Sequence, residues 1–419
     1  MCDILVATPR ATKERVMLFA KNSDRDPNEA QVLELIPRKK HEEGEVKLTY
    51  VEFPQVGETY SIIISRPWWT WGAEMGVNEF GLAIGNTAIF SREKLPDKGI
   101  LGMDIVRLAL ERSRNSEEAL KLITSIVDDQ GGSGSYEHRL IYSNSFIIAD
   151  PREAWVLETA GRHWAAKRIE SVYSISNALI LEGDWDIASD GVEELASKGG
   201  FSFARHFSDR FYTYFAHGRD RRAYTYGRLR EKEGEITIEY MMSILRSHST
   251  EPYLPHKGSM RDICMHYGGL TRPSQTASSQ VSELSENGIH WFTGTSLPCI
   301  SIFKPLNFNT KPPPVGENPT NKYNPNNYWW SVERFHRRFQ TNYYRIAQFS
   351  AERDEVQKMV LEAVREFRDG SDLSTPLRLA LEKERELIER WDRIIVPANL
   401  PFPYSIRWRA VNRRAQLSI

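Results

Sequence analysis

The sequence predicts an α+β protein in which antiparallel sheets pack against layers of helices. Short apolar, β-branched runs occur in groups, and segments with helical spacing separate one group of strands from the next. Strands that alternate with helices as groups favour antiparallel sheets over repeated parallel βαβ units. We therefore expect a sheet sandwich flanked by helices.

Apolar runs and turn residues place the strands along the chain. Residues 3–7 and 16–20 predict a first hairpin, and residues 73–77 and 82–86 predict a second one. Gly81 ends the turn of the second hairpin, where glycine suits a bulged turn. A four-stranded β-meander is then predicted, after two helices, at 145–149, 154–158, 163–167 and 172–176.

The organisation of the chain changes near residue 310. Proline and asparagine dominate from there to residue 327, and loops of this length are commonly linkers or functional lids. Beyond residue 333 the apolar residues follow a helical period. We therefore predict a catalytic domain at 1–310, a linker at 311–334 and a C-terminal helical extension at 335–419.

The composition indicates which binding partners and which cellular compartment to expect. Lysine and arginine number 55 against 56 aspartate and glutamate, so the net charge of −1 gives no basic footprint for nucleic acid. The three cysteines are too few for a disulfide framework, and no CxxC or Cys/His spacing suggests zinc, so we expect no metal and no cofactor. The N-terminus lacks a signal-like segment, and no run of about 18 apolar residues occurs. We expect a cytoplasmic chain that binds no membrane.

Cys2 is the residue that most directly suggests chemistry. Removal of Met1 would leave a cysteine whose thiol is a nucleophile and whose α-amine can take up the thiol proton. An α-amine has a pKa of about 7.7–8.0, so part of it is neutral near neutral pH. The alternative is that Cys2 is a small buried hydrophobic residue.

Polar side chains at strand ends are the expected partners of Cys2. Lys21 and Asp24 end the first hairpin beside the strand that begins at Cys2, where a cation favours thiolate and a carboxylate can orient the amine. Asn86 and Asn177 each end an apolar strand and can donate side-chain N–H groups to a developing oxyanion. A solvated turn or a turn cap would explain the same residues.

Two further clusters have competing interpretations. Arg219, Arg221 and Arg222 could anchor a substrate carboxylate, or they could lie on a solvated helix face. Cys264 and His266 are a thiol and a base two residues apart, but no third group completes a triad.

Several segments in order closely resemble the secernin and dipeptidase family. Besides Cys2-Asp3 they are FAKNSDR at 19–25, GVNEFGLAIGN at 76–86 and ADPREAWVLETAG at 149–161. The likeness continues through ICMH at 263–266, SQT at 274–276, WFTGTS at 291–296 and SIFKP at 301–305. It thus covers residues 2 to about 310, whereas the later region is similar to secernins only in being helical.

The resemblance implies an N-terminal nucleophile hydrolase with a four-layer αββα sandwich and a catalytic Cys2. By comparison with penicillin V acylases and bile salt hydrolases, Lys21 replaces an arginine beside the nucleophile, and Asp24 keeps its place. Asn177 matches the oxyanion asparagine, and Asn86 lies about two positions from a second oxyanion donor. The active-site arginine is expected at Arg222, with Arg221 and Arg205 as alternatives.

The predicted function is hydrolysis of an amide bond in a short peptide by a cysteine-type dipeptidase. Two alternatives stay open: an acylase or acyl transferase acting on a non-peptide amide, and a non-enzymatic secernin-like interaction protein. The C-terminal helices could mediate homo-oligomer formation, although apolar helix faces more often pack on their own domain.

Overall fold

A computed structural model describes residues 1–95, 99–130, 142–311, 316–367, 370–396 and 398–419 of the chain. The strands are β1 (Cys2–Ala7), β2 (Met17–Arg25), β3 (Gln31–Ile36), β4 (Lys39–Lys40), β5 (Glu45–Lys47), β6 (Glu52–Pro54), β7 (Glu58–Thr59), β8 (Ile62–Pro67), β9 (Met75–Asn78), β10 (Ala83–Ile89), β11 (Ser143–Ala149), β12 (Ala154–Ala160), β13 (His163–Arg168), β14 (Val172–Ile175), β15 (Ile187–Ala188), β16 (Gln275–Leu284), β17 (His290–Phe292) and β18 (Lys304–Leu306).

The helices are α1 (Gly102–Arg112), α2 (Ser116–Gln130), α3 (Asp190–Ser197), α4 (Phe203–Phe207), α5 (Arg210–Ala216), α6 (Gly218–Glu231), α7 (Ile238–Leu245), α8 (Tyr328–Phe339), α9 (Ile346–Arg365), α10 (Ser374–Ile394) and α11 (Tyr404–Arg414). Short 3-10 turns cover Pro255–Lys257, Pro298–Ile300 and Gln340–Arg345. Among the described helices, none combines the length and the apolar character that crossing a bilayer requires.

Two antiparallel sheets form the centre of the molecule. The six-stranded sheet has the order β14-β1-β2-β16-β17-β18, and the eight-stranded sheet has the order β15-β13-β12-β11-β10-β9-β8-β3. Both predicted hairpins are confirmed, since β1 pairs with β2 and β9 pairs with β10, and Gly81 takes φ +78° in the second turn. Glycine adopts that conformation without steric cost.

The sheets stack face to face, and helices cover both outer faces. Ile4 and Phe19 of the six-stranded sheet share one buried cluster with Val77 and Ile147 of the eight-stranded sheet. Helices α1 and α2 cover the other face of the eight-stranded sheet, and α7, α9 and α10 cover that of the six-stranded sheet. The alternation of side chains along each strand supplies both apolar faces. The αββα sandwich is therefore confirmed.

The predicted meander divides between the two sheets. Strands β11, β12 and β13 are sequential neighbours in the eight-stranded sheet, as expected. The fourth strand, β14, instead crosses to the six-stranded sheet and pairs with β1, with Ile175 opposite Ile4. This crossing brings the residues after β14 to the N-terminal end of β1.

The C-terminal helices are part of the outer helical layer. Val360 of α9 and Ala380 of α10 pack in the same cluster as Leu5 and Leu18 of the central strands. Helix α8 begins at Tyr328, inside the segment predicted as a linker, and residues 312–315 of that segment lie outside the described residues. The boundaries at 310 and 334 stay predictions.

Candidate active site

The pairing of β1 with β2 builds the centre of the candidate site. Cys2 lies opposite Ser23, and Ile4 lies opposite Lys21, so the thiol and the Lys21 side chain project from the same face into the space between the sheets. Gly85 of β10 faces them across this space, and a Cβ there would lie 2.7 Å from Lys21 Cδ. The absence of a side chain at residue 85 leaves room for Lys21.

The thiol is buried among three charged groups. Cys2 Sγ donates to Glu74 Oε2 at 3.8 Å, and Glu74 forms ion pairs with Lys21 at 3.5 Å and Arg25 at 3.1 Å. Burial opposes ionisation of Glu74, but Arg25 and Lys21 outweigh it and lower the pKa of the carboxyl group. Burial likewise opposes the charge of Lys21, but Cys2 and Glu74 raise its pKa. Lys21 therefore stays cationic beside the thiol.

Asn177 holds the nitrogen of Cys2. It follows β14, and its Oδ1 accepts a hydrogen bond from the Cys2 backbone N–H at 3.0 Å. Its Nδ2 donates to Thr87 Oγ1 at 2.9 Å and to the Ala88 carbonyl at 2.8 Å. Both N–H bonds of this amide are thus engaged by acceptors on β10. The geometry supports positioning of the Cys2 nitrogen by Asn177, and the oxyanion contact stays a prediction.

Arg221, on α6, fixes Asn177 from the other side. Its guanidinium donates to Asn177 Oδ1 at 2.6 Å and Ser176 Oγ at 2.8 Å, and it pairs with Asp3 at 3.1 Å. The Arg221 and Asp3 side chains are both fully buried. A planar guanidinium suits this set of acceptors because its five N–H donors point in fixed directions.

The predicted arginine, Arg222, lies outside this network. Its guanidinium carbon is 4.5 Å from the ring centre of Tyr226 and 5.2 Å from that of Tyr173. Successive residues of a helix point about 100° apart, so Arg221 and Arg222 cannot both face Asn177. The weaker alternative, Arg205, is exposed and pairs with Glu182.

Asp24 lies at the same end of the sheet as Cys2. Its Oδ1 accepts a hydrogen bond from Thr276 Oγ1 at 2.7 Å, while its backbone N–H donates to the Met1 carbonyl at 2.6 Å. The Met1 ammonium group donates to the Asp24 carbonyl at 2.6 Å. Burial raises the pKa of Asp24 to about 6, an effect that Asp3 increases and the terminal ammonium group reduces. Met1 therefore extends β1 by one paired residue.

Asn86 is not brought together with Cys2. Its Nδ2 donates to Asn144 Oδ1 at 3.0 Å, on the face of the eight-stranded sheet that α1 covers. Because side chains alternate along a strand, its neighbour Thr87 points between the sheets and contacts Asn177. Strand β10 therefore contacts Asn177 through Thr87 and not through Asn86.

Glu74 is the neighbour of the thiol that sequence reasoning missed. It precedes β9 in the apolar segment Ala73-Glu74-Met75, and its side chain is 3 % exposed. An acidic residue in such a segment is a usable signal, because buried carboxylates require a charged or hydrogen-bonding partner. That signal does not, however, identify Lys21 and Arg25 as the partners.

Part of the chain matches a known protein family. Residues 70–231 match the model of Peptidase family C69, a region that includes Glu74, Asn177 and Arg221.

Three solved structures are similar to this chain. One structure of a conjugated bile acid hydrolase from Clostridium perfringens is 13% identical over 70% of this chain and 88% of its own, with a TM-score of 0.41. A variant of that hydrolase is 12% identical over 74% and 93%, with a TM-score of 0.44. An N-acylethanolamine-hydrolyzing acid amidase ortholog from Caenorhabditis elegans is 13% identical over 67% and 92%, with a TM-score of 0.33. The match over residues 70–231 shows that this part of the chain is similar to Peptidase family C69, in agreement with the resemblance found in the sequence.

Proposed function

We propose that this amide-hydrolysing enzyme is a cysteine dipeptidase whose nucleophile is Cys2 after removal of Met1. The observation that carries the proposal is that both reactive groups of one residue are held separately. The nitrogen of Cys2 is held by Asn177, and the sulfur lies against Glu74 beside Lys21. A residue that serves as nucleophile and base needs both groups positioned.

Removal of Met1 converts the Cys2 backbone N–H into an α-amine at the same position. An α-amine has a pKa of about 7.7–8.0, so it can accept the thiol proton near neutral pH. The Lys21 ammonium favours the thiolate that results. The thiolate then attacks the carbonyl carbon of the substrate, and a carbon–sulfur bond forms.

Lys21 can also stabilise the negative charge after it has moved from the Cys2 sulfur to the carbonyl oxygen of the substrate. Its Nζ forms the ion pair with Glu74 but no hydrogen bond among the described residues, although it is fully buried. A buried donor of this kind stabilises a developing oxyanion strongly. Collapse of the tetrahedral intermediate expels the amine, which takes the proton held by the α-amine. Water, deprotonated by the same α-amine, then releases the acid from the thioester.

A basic cavity supports a substrate with a free carboxylate. It has a volume of about 520 Å³ and is lined by residues next to Arg221 in the chain, including His217 and Arg219. Arg205, Arg210 and Arg261 also line it; Arg205 is paired with Glu182, and Arg261 is paired with Asp220. Guanidinium groups bind carboxylates in a bidentate manner. Its lining includes none of Cys2, Lys21 and Glu74, and we propose it as the place that receives the C-terminal carboxylate of a short peptide.

Processing of Met1 is the first test. A chain made with a cleavable leader should gain dipeptide hydrolysis when the leader is cut directly before Cys2, because the cut creates the α-amine. The same chain left uncut and the cut Cys2→Ala variant should both fall to background. Intact mass verifies each N-terminus, and circular dichroism verifies that the Cys2→Ala variant is folded. Full activity of a chain that retains Met1 would refute the proposal.

The two adjacent arginines form a matched pair for a second test. Arg221→Lys should lower kcat at least about 100-fold, because one ammonium cannot bond Asn177, Ser176 and Asp3 together. Arg222→Lys should change kcat by no more than about threefold, since its guanidinium contacts two tyrosine rings and the Ser174 carbonyl and none of Asn177, Ser176 and Asp3. Steady-state kinetics of both variants shows whether Arg221 or Arg222 is the active-site arginine. Circular dichroism checks that both variants are folded. Equal losses would contradict the placement of Arg221.

The carboxylate preference gives a third test. A C-terminally amidated dipeptide should show a KM about 10-fold or more above that of the free acid, because it loses the charge that the cavity binds. Arg219→Ala should raise KM for the free acid and leave the amide nearly unchanged. Arg230→Ala, which removes an exposed arginine from the same helix, is the control. A panel that includes non-peptide acyl amides completes the measurement, and faster turnover of those amides would favour an acylase.

A further inference from the structure

Four metal-ligating side chains converge outside the candidate active site. They are His248, which follows α7, Cys264 and His266, which lie before β16, and Cys299, in the short turn Pro298–Ile300. Their ligand atoms all lie within 4.8 Å of one another. Three of the four residues are buried, and His248 is partly exposed. Both thiols are free, so the sulfurs are not joined in a disulfide.

Three of the six separations, those from His266 Nε2, are close to the edges of a tetrahedron around one ion. The Nε2 atoms of His248 and His266 are 3.3 Å apart, and His266 Nε2 lies 3.3 Å from Cys299 Sγ and 3.8 Å from Cys264 Sγ. Zinc bonds of about 2.0–2.1 Å to nitrogen and about 2.3 Å to sulfur give edges of about 3.3 Å between nitrogens and about 3.6 Å between nitrogen and sulfur. Hydrogen bonds alone do not require four such atoms to share one centre.

The surroundings resemble those of a structural metal site. The Tyr253 ring stacks on His248 at 3.7 Å with an interplanar angle of 8°, and Tyr343 Oη lies 3.2 Å from Cys299 Sγ. Both cysteines belong to an apolar cluster with Phe339. Groups around the ligands orient them, and an apolar shell excludes competing water. Imidazoles and thiols buried in such a shell are costly to leave without a strong partner.

We propose that His248, Cys264, His266 and Cys299 bind one structural Zn²⁺ ion. Two thiolates and two imidazoles are a common tetrahedral zinc set, and the four protein ligands leave no open position for substrate. This differs from the absence of a metal expected from the sequence. Only the pair 264 and 266 is local in the chain, so the ligand spacing follows none of the familiar short motifs.

The ion would hold a segment that supports β2. Asn22 Nδ2 donates to the Ile263 carbonyl at 2.9 Å, and the Met265 N–H donates to Thr276 Oγ1 at 2.9 Å. The same Thr276 hydroxyl donates to Asp24. Zinc at 264 and 266 would therefore fix the residues that position Asp24, without contacting the substrate.

Metal content of the full-length purified chain tests the site. We expect about one zinc per chain, and X-ray absorption should show two sulfur ligands at about 2.3 Å and two nitrogen ligands at about 2.0 Å. Cobalt(II) added after zinc removal should give the visible absorption of a tetrahedral thiolate complex. The double variant Cys264→Ser/Cys299→Ser should retain less than about a tenth of the zinc, whereas Cys2→Ala should retain all of it.

The test stays decisive if the double variant does not fold. His248→Ala removes the partly exposed ligand, and the cobalt spectrum of that variant should shift while its far-ultraviolet circular dichroism is unchanged. Wild-type chain that binds neither zinc nor cobalt with its thiols reduced would overturn the proposal. So would a cobalt spectrum without a thiolate contribution. Because the readout is metal binding, it does not depend on whether Cys2 is the nucleophile.

Discussion

The placement of β1 between β2 and β14 is the constraint on which the candidate site depends. One neighbour supplies Lys21 on the thiol side of Cys2, and the other leads directly into Asn177 on the nitrogen side. Antiparallel pairing fixes register along the whole strand, and a slip of one residue would turn the thiol to the opposite face. The two functional groups of Cys2 are therefore positioned by the same backbone hydrogen bonds that build the sheet.

Two buried carboxylates of the site are each paired with cations. Asp3 is neutralised by Arg221, and Glu74 is neutralised by Lys21 and Arg25. Removing one member of a buried pair typically costs about 3–5 kcal/mol, because the other charge is left uncompensated. These networks therefore tie the stability of the sandwich to the geometry of the site. Substitutions there call for a folding control as well as an activity measurement.

The parts of the site that depend on pairing of neighbouring strands could be predicted from the sequence. The hairpin of residues 3–7 and 16–20 was enough to associate Lys21 and Asp24 with Cys2, and the layered αββα architecture followed from the grouping of strands and the family resemblance. Asn177 was predicted as a strand-end asparagine and matched by resemblance, but nothing local shows that β14 leaves its meander and crosses to the other sheet.

The other differences between the predicted and the observed site residues have two causes. Some residues are displaced by one position along a helix or strand, and others lie far apart in the sequence. Arg221 replaces Arg222, and Thr87 replaces Asn86, because a shift of one residue changes the direction of a side chain on a helix or strand. Glu74 and the cluster around His266 join segments far apart in sequence. Such contacts depend on how the sheets and loops pack, which single-sequence periodicity does not encode.

Covalent trapping tests the central claim most directly. The purified enzyme is treated with one equivalent of an electrophilic dipeptide analogue, digested, and mapped by tandem mass spectrometry. The account predicts a single adduct on the sulfur of Cys2, in a peptide that begins at Cys2 with a free α-amine. An adduct on Cys264 or Cys299, or an adduct on a Cys2 peptide that still begins at Met1, would contradict it.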